Sequence, residues 1–195
     1  MKKRKFPLFL VLGICLILVS IALVLVFQIR MHMGAQHSQT ILSSMEQVLP
    51  ERTAGVPGSY LTSAMPVLEI ADADYVAMLE VPSFDVALPV ADQWDGNDLF
   101  STPRRFCGSV YDNTLIIGGA DNRWQFGFCD KIEHGARIIV TDMIGAQFTY
   151  KVSRIDRAKH AETQWLMDSD YALTLFCHDV YSMEYIAVRC DLVYK

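Results

Sequence analysis

The side chains best suited to covalent chemistry in this sequence are four cysteines, Cys107, Cys129, Cys177 and Cys190, spaced by 22, 48 and 13 residues. A thiolate attacks carbonyl carbon, but only where a neighbouring cation or base keeps the thiol ionised. His178 adjoins Cys177, and Arg189 adjoins Cys190. In a regular strand successive side chains point to opposite faces, so His178 would point away from Cys177. The spacings fit no zinc template, and neither a metal nor another cofactor is expected. Disulfides are open to the four thiols, with three possible pairings, as is a role as small buried hydrophobes. A second polar group, Asp121, Asn122, Arg123 and Trp124, follows the apolar run that ends at Ala120. Asp121 and Asn122 suit either a cleft lining or a turn cap; Arg123 and Trp124 suit either a peptide-contacting rim or an exposed loop. His134 and His160 sit in polar stretches and read as solvated. The doublet Arg104-Arg105 reads as part of a solvated loop.

The elements that must position these groups begin with an anchor. Residues 6–29 form an unbroken run of 24 residues without charge, enough for a bilayer core of about 30 Å. It is longer than the apolar region of a secretory signal, and the Met33-Gly34-Ala35 after it makes a poor cleavage site. Lys2, Lys3, Arg4 and Lys5 precede the run and only Arg30 follows it. Positive-inside logic therefore keeps residues 1–5 in the cytoplasm as a basic tail, makes 6–29 a single-pass anchor and places the rest outside the cell membrane. The residues after Arg30 carry 12 basic against 22 acidic side chains. That charge repels phosphate backbones and argues against a nucleic-acid partner.

Residues 30–64 read as a juxtamembrane helix and linker. Ile41, Leu42, Met45, Val48 and Leu49 form one helical stripe and Pro50 closes it; the helix suits a spacer, a self-association seam or an appendage packed on the domain, with the spacer favoured. Residues 51–63 are small, polar and rich in Gly and Pro, as linkers are. From residue 65 to 195 the pattern is β-rich, with strands expected over 75–80, 86–90, 114–118, 137–141, 147–155, 172–176 and 186–193. The Asp142-Met143-Ile144-Gly145 between two of them suits a hairpin turn with a positive φ at the glycine. Short strands with only short helices among them predict a mainly β, closed barrel.

Three stretches in this domain resemble sortases, the cysteine transpeptidases of the Gram-positive cell surface, and most closely the class B-related group. They are MPVLEIADADYVAMLEVPSFDVALPV at 65–90, FCGSVYDNTLIIGGADNRWQFGF at 106–128 and ALTLFCHDVYSMEYIAVRCDLV at 172–193. The likeness runs over about two thirds of the chain. It implies a sortase-type eight-stranded β-barrel displayed on an N-terminal transmembrane helix. It also implies partners of two kinds, sorting-signal peptides or an active sortase. In the family a Cys thiolate attacks the peptide carbonyl, a His protonates the leaving amine and an Arg hydrogen-bonds the oxyanion.

Laying the family's motifs on this chain changes all three positions. Leu115-Ile116-Ile117 and Phe126-Gly127 fix the register around the catalytic His, which is Ala120 here. A gapless match through Leu173-Thr174-Leu175-Phe176 puts His178 at the Cys position and Tyr185 at the Arg position. The resemblance therefore implies a pseudoenzyme that binds without cleaving. The alternative is an active, atypical transpeptidase with Cys177 as nucleophile. It needs a one-residue slip that would turn the side chain to the other face, and Arg189 would stand four residues past the usual Arg, roughly 13 Å along the strand. Losing one member of a nucleophile–base unit can itself cost about 10⁶ in kcat. Arg189, with residues 121–124, remains a candidate for a peptide-binding cleft.

Overall fold

The computed structural model describes residues 6–58, 60, 62–94, 101–160, 163–167, 170–179 and 181–194. Helix α1 (Phe6–Val48) carries the apolar run and continues past it without a break. Nothing between Gly13 and Pro50 interrupts its hydrogen bonding, and Leu49 N still donates to Met45 O at 2.8 Å. Its first part is long and apolar enough to cross a membrane, and none of that part is buried against protein.

The spacer reading of the juxtamembrane helix is corrected here. Ile41, Leu42 and Met45 are buried against Tyr75, Met78, Ala91 and Met143 of the β domain. Leu49 packs at the edge of the same cluster, whereas Val48 is exposed. Four members of the predicted stripe thus face the domain, because an apolar stripe left in water has no other way to lose its hydration cost. Ser38 Oγ adds a hydrogen bond to Ser101 O at 2.8 Å. The linker is tied down too. Strand β1 (Thr53–Ala54) runs parallel to the start of a later strand, Thr53 level with Ala146. Gly55 lies under the Phe148 ring, where a Cβ would come within 2.5 Å of ring carbon.

The remaining strands are β2 (Leu68–Ile70), β3 (Ala73–Val81), β4 (Val86–Ala91), β5 (Arg104–Cys107), β6 (Leu115–Gly118), β7 (Arg137–Asp142), β8 (Ala146–Ala158), β9 (Leu173–Asp179) and β10 (Glu184–Leu192). Eight of them close a barrel in the order β3-β4-β5-β6-β9-β10-β8-β7 and back to β3. The pairs β4–β5 and β6–β9 are parallel and the other six are antiparallel. A short helix, α2 (Thr163–Met167), lies on the connection from β8 to β9. The expected turn before β8 is present, with Gly145 at φ 82°.

The barrel strand that sequence reading missed is β5. Its Arg104-Arg105 is not a solvated loop. Arg105 pairs with Asp92 across to the segment after β4, and Arg104 Nη1 donates to Gln93 O at 3.0 Å. Two adjacent arginines mask a strand when only four residues long and half-buried throughout.

The interior is filled by alternate residues of each strand. On β9 these are Leu173, Leu175 and Cys177, and on β10 they are Ile186, Val188 and Cys190. The intervening Phe176 and Ala187 belong instead to an outer cluster with Ile116 and Leu166. This alternation follows from the two-residue period of a strand and decides which chemistry-bearing side chains face outward.

Candidate functional site

The outer face of β9 and β10 brings two of the three altered positions together, and the third follows β6. Gly118 of β6 is level with Phe176 of β9, and Gly119 N donates to Phe176 O at 3.0 Å. The pairing ends there, and Ala120 follows two residues later at the start of the loop after β6. His178 is the cross-strand partner of Tyr185. Their rings meet edge-on with centroids 4.7 Å apart, and both are half-buried. An imidazole and a phenol in this place supply hydrogen-bonding groups but neither a thiolate nor a guanidinium.

Cys177 lies on the other side of the same strand. It is 2% exposed, within the barrel core, and its Sγ lies 4.0 Å from Phe126 O. The neighbouring Cys129 thiol also sits in the core, and burial, then its hydrogen bond with Cys177, pushes its pKa well up. Burial likewise raises the Cys190 thiol. No disulfide joins the cysteines. Among the described residues no group of three or more His, Cys, Asp or Glu side chains could hold a metal ion.

The loop after Ala120 is built around its own backbone. Ala120 N donates to Gln125 Oε1 at 3.1 Å, and Ala120 O accepts from Asn122 N at 2.9 Å and Phe126 N at 3.1 Å. Asn122 Oδ1 accepts from Trp124 N at 2.8 Å, so Asn122 caps the turn. Asp121 is half-buried, close enough to Cys129 for its charge to help hold that thiol protonated. The Arg123 guanidinium stacks over Trp124 at 4.1 Å, and Trp124 meets His32 of α1 edge-on at 6.1 Å. Trp124 therefore meets α1, and Arg123 covers its ring.

Arg189 does not reach the His178–Tyr185 pair. It is 2% exposed, and its Nη1 donates to Leu166 O at 2.9 Å and Thr174 Oγ1 at 3.2 Å. Nη2 donates to Trp165 O at 2.7 Å, and Nε lies 3.4 Å from Asp156 Oδ2. The guanidinium fastens the α2 segment to the barrel.

Between these two regions the outer face is covered by aromatic rings that sequence reading did not single out. Trp94, Phe106 and Phe176 pack with mutual centroid distances of 5.1, 5.4 and 5.6 Å. A Cβ on Gly118 would come within 2.4 Å of the Trp94 ring, so the glycine is what lets the indole lie on the sheet. The only signal was a large aromatic in the polar stretch ADQWDGND. At the β9–β10 turn, Asp179 accepts from Ser182 Oγ at 2.6 Å and Tyr181 N at 2.8 Å, and these bonds, the hydroxyl first, hold its carboxyl below the usual range.

A closed mixed barrel with two parallel pairings, approached by an N-terminal helix, is the class of protein that this geometry defines. Among solved structures it is the sortase fold. The chain aligns with sortase C from Clostridium perfringens SM101 at 21% identity and TM-score 0.53, over 63% of this chain and 71% of that one. With sortase C1 from Streptococcus agalactiae the values are 20% and 0.55, over 65% and 72%. With sortase C-1 from Actinomyces oris they are 19% and 0.55, over 83% and 99%. No protein-family model matches the sequence, and no curated protein matches it.

Proposed function

We propose that this chain is a membrane-anchored, extracytoplasmic member of the sortase family that has lost transpeptidase chemistry and binds sorting-type peptides, or an active sortase, without cleaving them. The observation that carries this reading is the cross-strand pair His178–Tyr185 on the outer face of β9 and β10. By motif these two stand at the family's Cys and Arg positions and Ala120, just past β6, at its His position, and none holds the matching side chain. Cys177 adjoins His178 in sequence, and its place in the core speaks against a role as nucleophile, since a thiol must be partly exposed and near a cation to react. The charge asymmetry around α1 supports a cytoplasmic N-terminus and a cell-surface domain. Binding needs only shape and hydrogen bonds, which the outer face still offers through His178, Tyr185 and the rings beside them.

The test is the full chain in lipid nanodiscs, incubated with a library of sorting-type peptides and read by intact mass and by retention on immobilised discs. Peptide retained with no covalent adduct is the expected result. An adduct that disappears in Cys177→Ala would establish an unconventional transpeptidase and overturn the proposal.

A further inference from the structure

The loop that carries Ala120 does more than leave the chemistry behind. We propose that Arg123 and Trp124 form a membrane-surface contact, with the Trp124 indole seated in the headgroup layer of the bilayer crossed by α1 and Arg123 turned to lipid phosphate. The inference rests on the reading of α1 as a membrane anchor.

The height of the loop above the bilayer is fixed by the helix. The apolar run of α1 ends at Ile29 and Arg30 closes it. His32 is three residues further, about 4.5 Å along a helix that rises 1.5 Å per residue. The headgroup region on each side of the hydrocarbon core is about 5–7 Å deep. The ring that Trp124 touches therefore stands within that layer, and Trp124 is 6.1 Å from it. The helix does not swing free of the domain, because Ile41, Leu42 and Met45 clamp it to the barrel.

The chemistry suits that position. Tryptophan prefers the interface between hydrocarbon and water, where its body is apolar and its N–H can hydrogen-bond. Trp124 is 37% exposed, and it is stacked beneath a guanidinium, the side chain best shaped to pair with phosphate. Beside the ring a groove of about 620 Å³ opens between loop and helix, lined by His32, Ala35, Gln36, Gln39, Leu88 and Trp124. Only its lower end, at His32 and Trp124, lies at the level of the headgroups; the rest climbs along α1 to Gln39, about 15 Å above Ile29. The domain as a whole is acidic, so nonspecific attraction to an anionic leaflet does not bring it there. The contact depends on this loop.

The experiment uses the full chain in phosphatidylcholine–phosphatidylglycerol vesicles containing lipid brominated at a shallow or a deep acyl position. The chain has three tryptophans. Shallow bromine should quench the share of emission due to one of them, deep bromine should quench less, and Trp124→Phe should abolish the difference. Arg123→Gln should weaken the shallow quenching and remove its dependence on phosphatidylglycerol. Circular dichroism and vesicle flotation of both variants should match the parent. Equal quenching in parent and Trp124→Phe would overturn the contact. So would an emission blue-shifted and shielded from aqueous iodide but untouched by brominated lipid, which would point to a protein neighbour. Failure of the parent chain to float with vesicles would bring down the anchor reading itself, and is distinguishable from flotation without quenching.

Discussion

His178 on β9 and Tyr185 on β10 are direct cross-strand partners whose rings meet with centroids 4.7 Å apart and planes inclined at 61°. Such an aromatic pair stabilises a sheet by about 0.5–1 kcal/mol, so its presence is accounted for by packing. Cys177, one residue away, points into the core. The strand's two-residue period separates the Cys177 thiol from the surface where a peptide could lie.

Cys177 should therefore resist alkylation in the folded protein. Treated with iodoacetamide at pH 7.5, the full chain in nanodiscs should leave Cys177 unmodified until denaturant is added, as followed by peptide mapping. Labelling at the rate of a free thiol under native conditions would show that the strand opens or that the side chain faces outward.

Arg189 should behave as a structural clasp. Arg189→Leu leaves the carbonyls of Trp165 and Leu166 without their donor and should cost about 3 kcal/mol. Arg189→Lys should recover only part of this, since an ammonium cannot span the same acceptors. Limited proteolysis should then cut within residues 159–172 before anywhere else in the barrel. Unchanged melting and cleavage would show that the α2 segment is held by other means.

Two buried tyrosines should respond in opposite directions. Tyr111 donates to the fully buried Asp142 carboxylate at 2.6 Å, which also accepts from Ile144 N and Ala146 N. Tyr111→Phe should cost about 2 kcal/mol. The Tyr150 hydroxyl is buried with no hydrogen-bond partner among the described residues, so Tyr150→Phe should be neutral or up to about 1 kcal/mol stabilising. Urea unfolding of both variants checks the pair.

The long apolar helix, the hairpin turn and seven of the eight barrel strands were legible because each rests on a local pattern: an uncharged apolar run, a glycine at a turn, or residues alternating between two faces. Strand β5 was not, because Arg104 and Arg105 look solvated until Asp92 and the Gln93 carbonyl are known to meet them. The docking of Ile41, Leu42 and Met45 was visible as a stripe without its partner surface. Ala120, His178 and Tyr185 were readable by motif, but the pairing of His178 with Tyr185 depends on the β9–β10 register, which no local pattern encodes. Arg189 looked like a cleft residue since nothing in the sequence links it to carbonyls 23 and 24 positions earlier.

Stability should fall in alkali. Burial raises the Cys129 and Cys190 thiols above their usual value of 9.0, and the Tyr111 and Tyr150 phenols above 10.0. The folded state thus favours the neutral forms. Below about pH 9 both folded and unfolded chains are neutral at these groups and the stability is full. Above it the unfolded chain ionises first, and stability is lost by at most about 1.4 kcal/mol per pH unit for each group. Urea midpoints flat from pH 7 to 8.5 and falling from pH 9 to 10.5 are expected; a midpoint that rises over that upper range would contradict the burial of these side chains.

The alignment of the three altered positions makes a stronger demand. If their backbone places match those of a working transpeptidase, then Ala120→His, His178→Cys and Tyr185→Arg together should restore acylation. The new thiol would replace a ring lying 4.7 Å from the Tyr185 ring, so the new guanidinium would be near enough to favour the thiolate. It could also hydrogen-bond an oxyanion formed on that sulfur. Intact mass of the triple variant with sorting-type peptides should show a peptide-sized adduct that hydroxylamine removes, whereas the three single variants should show none. Adding Cys177→Ala to the triple variant should leave the adduct unchanged, because that thiol faces the core. A folded triple variant that retains peptide yet never acylates would show that these positions have drifted from catalytic geometry, and that the loss reaches beyond the three side chains.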